Sequence, residues 1–337
     1  MSVADATAGR GPWSESLRDA VGRHPLLLLA VGLAVAAVGL ALTQGAAELA
    51  QASINGVVAG NYYALGAVGL TLIFGVLRLV NFAHGEFLTL GAYLMLLFAS
   101  FEMPLLAAAA LGVLATAIFS LGLELGVWRP VRRRGAGEMQ LLLFALGLAF
   151  FMRNAIAFIA TSEDRQTGAD VTASLTVGSL RIGRTELIVT LIGIAVIVLV
   201  AIGLRSTALG KQTRALADDI DLAETTGINT DRVVLITWAV SGALAGLAGI
   251  FYALPAGAAN PNIGFSLILS IFAAVVVGGI GNAYGALAGG LLIGLVQEWA
   301  TLVIEPSVKV AVGFAMLILV LLIRPQGLFG RARSVDR

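Results

Sequence analysis

The residues with the greatest chemical capacity in this sequence are isolated polar side chains inside long apolar runs. A polar group in lipid is costly, so each is a candidate for function. Asparagine and tyrosine can hydrogen-bond an amino or carboxylate group that passes through a membrane. We therefore expect a translocation path or gate to use Asn55, Asn61, Tyr62, Asn81, His84, Glu86, Arg153 and Glu298.

Each of these candidates also has a structural alternative. The asparagines and Tyr62 could join helices by hydrogen bonds. His84 and Glu86 could transfer protons, although a turn-capping or gate role at the cytoplasmic start of a span fits them better. Arg153 could contact a substrate carboxylate or form a buried ion pair, for which Glu124 and Glu298 are the candidate partners.

Several enzyme and metal chemistries are excluded by what the chain lacks. It has no cysteine and only two histidines, so thiolate and histidine-built metal sites are not expected. The segment 210–213 (GKQT) resembles the end of a phosphate-binding loop, but Arg205 stands where the first glycine belongs. We predict that the chain is not an enzyme and binds no cofactor, metal or ATP itself.

Composition defines the elements that must position these side chains. Of the 337 residues, 58% are hydrophobic and 12% are charged, and the mean hydropathy is +0.95. A helix needs about 20 apolar residues to cross a bilayer, and backbone groups in lipid must bond within their own segment. Glycines four residues apart, such as Gly56 and Gly60, should let such helices pack closely. The fold class is therefore an all-α polytopic membrane protein.

The hydrophobic runs predict about ten transmembrane helices, at 26–44, 50–73, 80–100, 104–127, 139–160, 186–204, 233–254, 265–281, 284–304 and 308–323. They divide the chain into an N-terminal tail 1–24, a transmembrane domain 25–325 and a C-terminal tail 326–337. With both tails inside the cell, sixteen of the 21 basic residues are cytoplasmic and four are outside, as the positive-inside rule requires. We read the first helix as uncleaved.

The inner loop 205–232 is the most informative connection. Residues 213–226 predict a short amphipathic helix with Leu216, Ile220 and Ala223 on one apolar stripe. Gly227 should end it, and Thr230 or Asp231 should cap the next helix. A stripe facing the cytosol would suit docking of a partner, and a plain solvated connector is the alternative.

Four segments in a fixed order resemble a known family. The loop string 214–229 (RALADDIDLAETTGIN) is similar to the coupling segment of ABC-importer permeases, although it has Leu222-Ala223-Glu224 where the wider class has Glu-Ala-Ala. Segments 55–65 (NGVVAGNYYAL) with 81–87 (NFAHGEF), 277–286 (VGGIGNAYGA) and 324–330 (RPQGLFG) resemble the branched-chain amino-acid permeases of the LivH type.

The resemblance implies a function powered by other chains. It implies an ABC-importer permease fold in a bacterial inner membrane, paired with a second homologous permease and two cytosolic ATPases that use ATP and Mg²⁺. An extracytoplasmic binding protein would deliver branched-chain amino acids, and no nucleic acid is expected as a partner. The implied coupling residues are Arg214, Leu216, Asp219, Ile220, Ala223 and Gly227.

Three rival functions stay open at this stage. Similar permeases carry urea or short amides, so the substrate class is not settled by the motifs. An ion- or proton-coupled secondary transporter would need an acidic or broken-helix ion site near the midplane, for which Glu298 is the candidate. A purely structural membrane subunit is the third reading.

Overall fold

The computed structural model describes residues 25–161 and 163–330. The predicted tail 1–24 and most of the predicted tail 326–337 lie outside this part of the chain. The described residues form α1 Pro25–Thr43, α2 Ala46–Leu77, α3 His84–Ala99, α4 Leu105–Leu123, α5 Arg129–Arg133, α6 Glu138–Ala160, α7 Arg184–Ser206, α8 Ala208–Asp218, α9 Ile220–Thr225, α10 Thr230–Ala256, α11 Ile263–Gly278, α12 Ala283–Ala300 and α13 Lys309–Ile323.

Six of the described helical segments are long and apolar enough to cross a membrane: Ala46–Leu77, Leu105–Arg133, Glu138–Ala160, Arg184–Ser206, Thr230–Ala256 and Pro306–Ile323. Leu105–Arg133 joins α4 to α5 through a π-helical turn at Glu124–Trp128. Each predicted span contains a helix, but α3 and α11 have only 16 residues. The chain is thus a multi-pass helical protein, and the count of ten spans and the N-in/C-in orientation stay predictions.

The longest helix, α2, forms the centre of the bundle. Its most apolar 18-residue window is 83% buried, whereas those of α6 and α7 are 11% and 17% buried. Glycines permit this burial, because a Cβ atom on Gly56 or Gly60 would lie 2.8 Å from the Cα atom of Leu295 or Leu291 in α12. The expectation of close packing by small residues is confirmed for this helix pair.

The chain reverses direction after α2. The imidazole of His84, the first residue of α3, hydrogen-bonds the carbonyl of Gly66 at 3.0 Å. Gly66 lies eleven residues before the end of α2 at Leu77, which is about 16 Å along a helix. The linker therefore runs back beside α2, and α3 begins beside the middle of that helix rather than at its end.

Two small antiparallel sheets shape the loop between α6 and α7. Strand β1 (Arg165–Gln166) pairs with β4 (Ala258–Ala259), which follows α10. Strands β2 (Ser174–Val177) and β3 (Leu180–Gly183) form a hairpin. The Gln51 side chain donates to the Arg181 carbonyl at 2.8 Å and accepts from the Arg181 N–H at 2.8 Å. This loop is thereby attached to the first turns of α2.

The glycine contact gives a stability prediction. Gly60→Ala should destabilise the protein by about 1–3 kcal/mol, because the added Cβ meets a backbone atom that cannot move independently. Thermal unfolding of the purified protein in detergent should show a lower Tm. Gly203→Ala is the matched control, because a Cβ there meets nothing within 4 Å. Equal Tm values for the two variants would contradict this account of the α2–α12 contact.

Candidate functional site

The segment between α7 and α10 consists of two helices, so the predicted single helix 213–226 is wrong. Helix α8 begins earlier, where the Thr207 hydroxyl accepts a hydrogen bond from the Gly210 N–H at 3.2 Å. At Asp219 the backbone becomes extended, with φ −157° and ψ 115°. The Asp219 carboxylate then accepts from the Leu222 N–H at 3.0 Å and caps α9. An aspartate that caps a second helix ends the first one.

Gly227 ends α9 as predicted. Its φ of +85° is a left-handed conformation that favours glycine. The Gly227 N–H bonds the Glu224 carbonyl at 3.0 Å, and the Ile228 N–H bonds the Ala223 carbonyl at 3.2 Å, which is the Schellman pattern. The cap of the next helix was predicted wrongly. Asn229, rather than Thr230 or Asp231, caps α10 by accepting from the Arg232 N–H at 2.9 Å.

The predicted apolar stripe is divided between two surfaces. Leu216 and Ala223, which are 2% and 4% exposed, pack in a small cluster with Val76 of α2 and Val233 of α10. Burying a leucine contributes about 1.5–3 kcal/mol, so this cluster fastens α8 and α9 to the ends of two central helices. Ile220 does not join it and is 39% exposed. The kink at Asp219 turns Ile220 away from the other two residues.

The exposed surface of α9 is an apolar tip within an acidic surround. Leu222 is the other exposed large apolar residue of α9, with 63% of its surface accessible. The exposed acidic residues in and next to α9 are Asp218, Asp219, Asp221 and Glu224. An exposed apolar tip with charged neighbours is suited to a protein contact. We call Ile220 and Leu222 the α9 tip.

Hydrogen bonds and salt bridges of arginine side chains hold the segments next to α8 and α10 in place. Arg214 donates a hydrogen bond to the Leu204 carbonyl near the end of α7. Arg129 pairs with Asp231 in the first turn of α10. Glu124, which is 1% exposed, accepts from Arg132, with Oε2 and Nη1 3.0 Å apart. These contacts join α8 to the end of α7, and they join α5 to the π-helical turn and to the start of α10.

The candidates on α2 have separate surroundings. Asn55 is exposed and accepts from the Gln51 side chain at 3.0 Å. Asn61 is 1% exposed, and its amide donates to the Val189 carbonyl of α7 at 3.1 Å. The Tyr62 ring packs edge-on against those of Tyr63 and Tyr252, at 4.8 and 5.5 Å between centroids. Asn61 therefore joins helices, while Tyr62 belongs to an aromatic cluster.

Asn81, His84 and Glu86 lie at the start of α3, as predicted, and their side chains are buried in the protein interior. All three are at most 2% exposed. The Gly66 carbonyl can only accept, so the imidazole proton of His84 lies on Nε2. The Glu86 carboxylate accepts instead from Thr89, 3.4 Å away. Because His84 and Glu86 bind different partners, the geometry does not support a proton-transfer pair.

Neither predicted ion pair of Arg153 is present among the described residues. Its guanidinium donates to the side chain of Asn262 and lies 4.7 Å from the centre of the Phe265 ring. Glu298 pairs with Lys309 at 2.8 Å, and Glu124 is taken by Arg132. The Arg153 side chain thus extends from α6 to the start of α11, where its guanidinium contacts an amide and an aromatic ring.

Two functional candidates were missed from the sequence. Leu222 was overlooked because the continuous-helix pattern assigns it to a polar face. Thr89 was overlooked because its partner, the Gly264 N–H at 2.9 Å, is 175 residues away. The extended backbone at Asp219 follows from a capping residue, which the sequence does contain, whereas no local pattern could have revealed the Thr89 contact.

These features together define a polytopic helical membrane protein in which the segment between α7 and α10 is fastened to the central helices. The family described as the permease component of branched-chain amino acid transport systems matches residues 52–321, which begin after α1. The chain belongs to this family.

Individual relatives agree with this membership. The chain is 31% identical over 295 residues to the high-affinity branched-chain amino acid transport system permease protein BraD of Pseudomonas aeruginosa, covering 83% of this chain and 95% of the relative. It is 32% identical, with the same coverage, to LivH of Escherichia coli strain K12. A probable LivH of Methanocaldococcus jannaschii is 29% identical, over 81% of this chain and 90% of that protein. No solved structure matches the chain.

The α9 terminus gives a local prediction. Gly227→Pro removes the N–H that bonds Glu224 and cannot adopt the observed φ, so it should destabilise the end of α9 by about 3 kcal/mol. Hydrogen–deuterium exchange of peptides covering 215–228 should then be faster than in the unmodified protein. Gly135→Ala is the control, because that glycine also has a positive φ, +77°, but lies in the loop between α5 and α6. Unchanged exchange in Gly227→Pro would show that Gly227 does not hold the segment.

Proposed function

We propose that this chain is a permease subunit of an ABC importer that moves branched-chain amino acids into a bacterial cell across the inner membrane. The observation that carries the proposal is the α9 tip, an exposed apolar contact point in the segment that resembles an importer coupling helix. Family membership and the names of the relatives support the substrate class. ATP would be bound by partner subunits and not by this chain.

Transmission of force from the α9 tip is supported by its attachments. Leu216 and Ala223 pack against Val76 and Val233, at the ends of α2 and α10. Both of those helices are largely buried, at 83% and 61% of their apolar windows. A displacement of α9 would therefore move the bundle centre rather than a peripheral helix. This is the mechanical requirement for alternating access driven from the cytosol.

The proposed assembly contains three kinds of partner. Two cytosolic ATPases would receive the α9 tip and supply the energy of ATP and Mg²⁺. A second homologous permease would complete the path, and an extracytoplasmic binding protein would deliver the amino acid. The loop with β2 and β3, attached to the start of α2, offers a surface for that delivery.

Docking of the ATPase can be tested at Leu222. Leu222→Glu should weaken the binding of the ATPase subunit at least tenfold, because it removes about 1.5–3 kcal/mol of apolar burial and adds a charge to an acidic surface. The measurement is the amount of ATPase that co-purifies with this chain from co-expressing cells.

Val177→Glu is the matched control. Val177 is 78% exposed but lies in the β2–β3 hairpin between α6 and α7, so its replacement should leave the recovered ATPase unchanged. Full ATPase recovery with Leu222→Glu would exclude the α9 tip as the docking point.

A further inference from the structure

Two short helices begin at a common point inside the protein. Helices α3 and α11 have 16 residues each, fewer than the number needed to cross a bilayer. Their first turns touch, because a Cβ atom on Gly85 would lie 2.8 Å from the Gly264 carbonyl oxygen. In transporters, discontinuous helices that start near the midplane place their positive N-terminal ends where substrate binds.

The Glu86 carboxylate compensates the positive N-terminal ends of α3 and α11 at this junction. Glu86 is the third residue of α3 and is 2% exposed. The Thr89 hydroxyl donates to the Glu86 carboxylate at 3.4 Å and accepts from the N–H of Gly264, the second residue of α11, at 2.9 Å. Glu86 thus lies at the N-terminus of its own helix and is linked through Thr89 to the N-terminus of the other. Among the described residues it forms no ion pair.

An amide side chain without a protein partner among the described residues lies at the start of α3. Asn81 is 0% exposed, and both its side-chain nitrogen and oxygen are buried without a hydrogen-bond partner in the described part of the chain. Its own carbonyl bonds the N–H of His84 at the first residue of α3. A buried amide lacking both bonds is costly, and a polar ligand would satisfy it.

We propose that the α3–α11 junction is a binding station for the zwitterionic α-ammonium and α-carboxylate groups of the transported amino acid. This inference rests on the proposed function and deepens it. When α11 separates from α3, the substrate carboxylate replaces Thr89 at the N-terminus of α11. Glu86 then receives the substrate ammonium group, and the Asn81 amide supplies a further hydrogen bond.

Charge balance favours a zwitterion over other solutes at this station. The closed junction places the Glu86 carboxylate at two helix N-termini, with the Arg153 guanidinium on Asn262 at the start of α11, and a zwitterion adds one charge of each sign. The exchange therefore leaves no uncompensated charge in the membrane interior. An uncharged solute such as urea would break the Glu86–Thr89–Gly264 contacts and return neither charge.

The test uses the complete reconstituted transporter in proteoliposomes, with leucine as the probe. Glu86→Gln should lower leucine uptake per ATP hydrolysed at least tenfold, and Thr89→Val should lower it as well. Thr116→Val is the matched control, because Thr116 is equally buried but bonds Gly112 within its own helix. Uptake per ATP at the unmodified level in Glu86→Gln would overturn the inference. If the unmodified complex showed no ATP-driven leucine uptake, the proposed function itself would be refuted.

A labelling experiment covers the case in which Glu86→Gln does not fold. The chain contains no cysteine, so Thr89→Cys provides a unique thiol on this subunit. A small charged thiol reagent should modify Cys at this position during turnover, and saturating leucine should slow the modification at least fivefold. Thr116→Cys should stay unmodified. A rate at position 89 that leucine does not change would contradict a substrate site at the junction.

Discussion

Close backbone contact between α2 and its neighbours is the constraint on which the rest of the structure depends. In lipid the hydrophobic effect does not drive helices together, so close packing and polar contacts must hold the bundle together. Glycines on α2 and α12 let the two backbones meet, and the Ser241 hydroxyl of α10 bonds the Gly69 carbonyl of α2 at 2.8 Å. One buried helix thereby touches the loop between α6 and α7 at Gln51 and the segment between α7 and α10 at Val76.

That arrangement connects the two candidate sites. The α9 tip is fastened through Leu216 to the end of α2, and the α3–α11 junction is fastened through His84 to the middle of the same helix. Packed contacts thus run continuously from α8 and α9 through α2 to the interior. At that junction the Thr89 hydroxyl links the Glu86 carboxylate to the Gly264 N–H.

The sequence predicted the helices and turns that depend on local composition. It did not predict contacts between residues far apart in the chain. The apolar runs predicted every described membrane-region helix because a chain in lipid has few alternatives to a helix. Gly227 was predicted correctly because a positive φ has a local signal. The kink at Asp219 was missed because the apolar periodicity of 216, 220 and 223 outweighed the capping residue. The partners of Arg153 depend on tertiary packing, which spacing along the chain does not give.

The central claim is that another chain's ATP drives solute through this permease. The most direct measurement is leucine uptake into proteoliposomes containing this chain, a second permease, the ATPases and the binding protein, with a protonophore and ionophores present to collapse all ion gradients. The account predicts that uptake continues, requires ATP on the side of α9 and stops without it. Uptake that survives without ATP but is abolished by the ionophores would contradict the account.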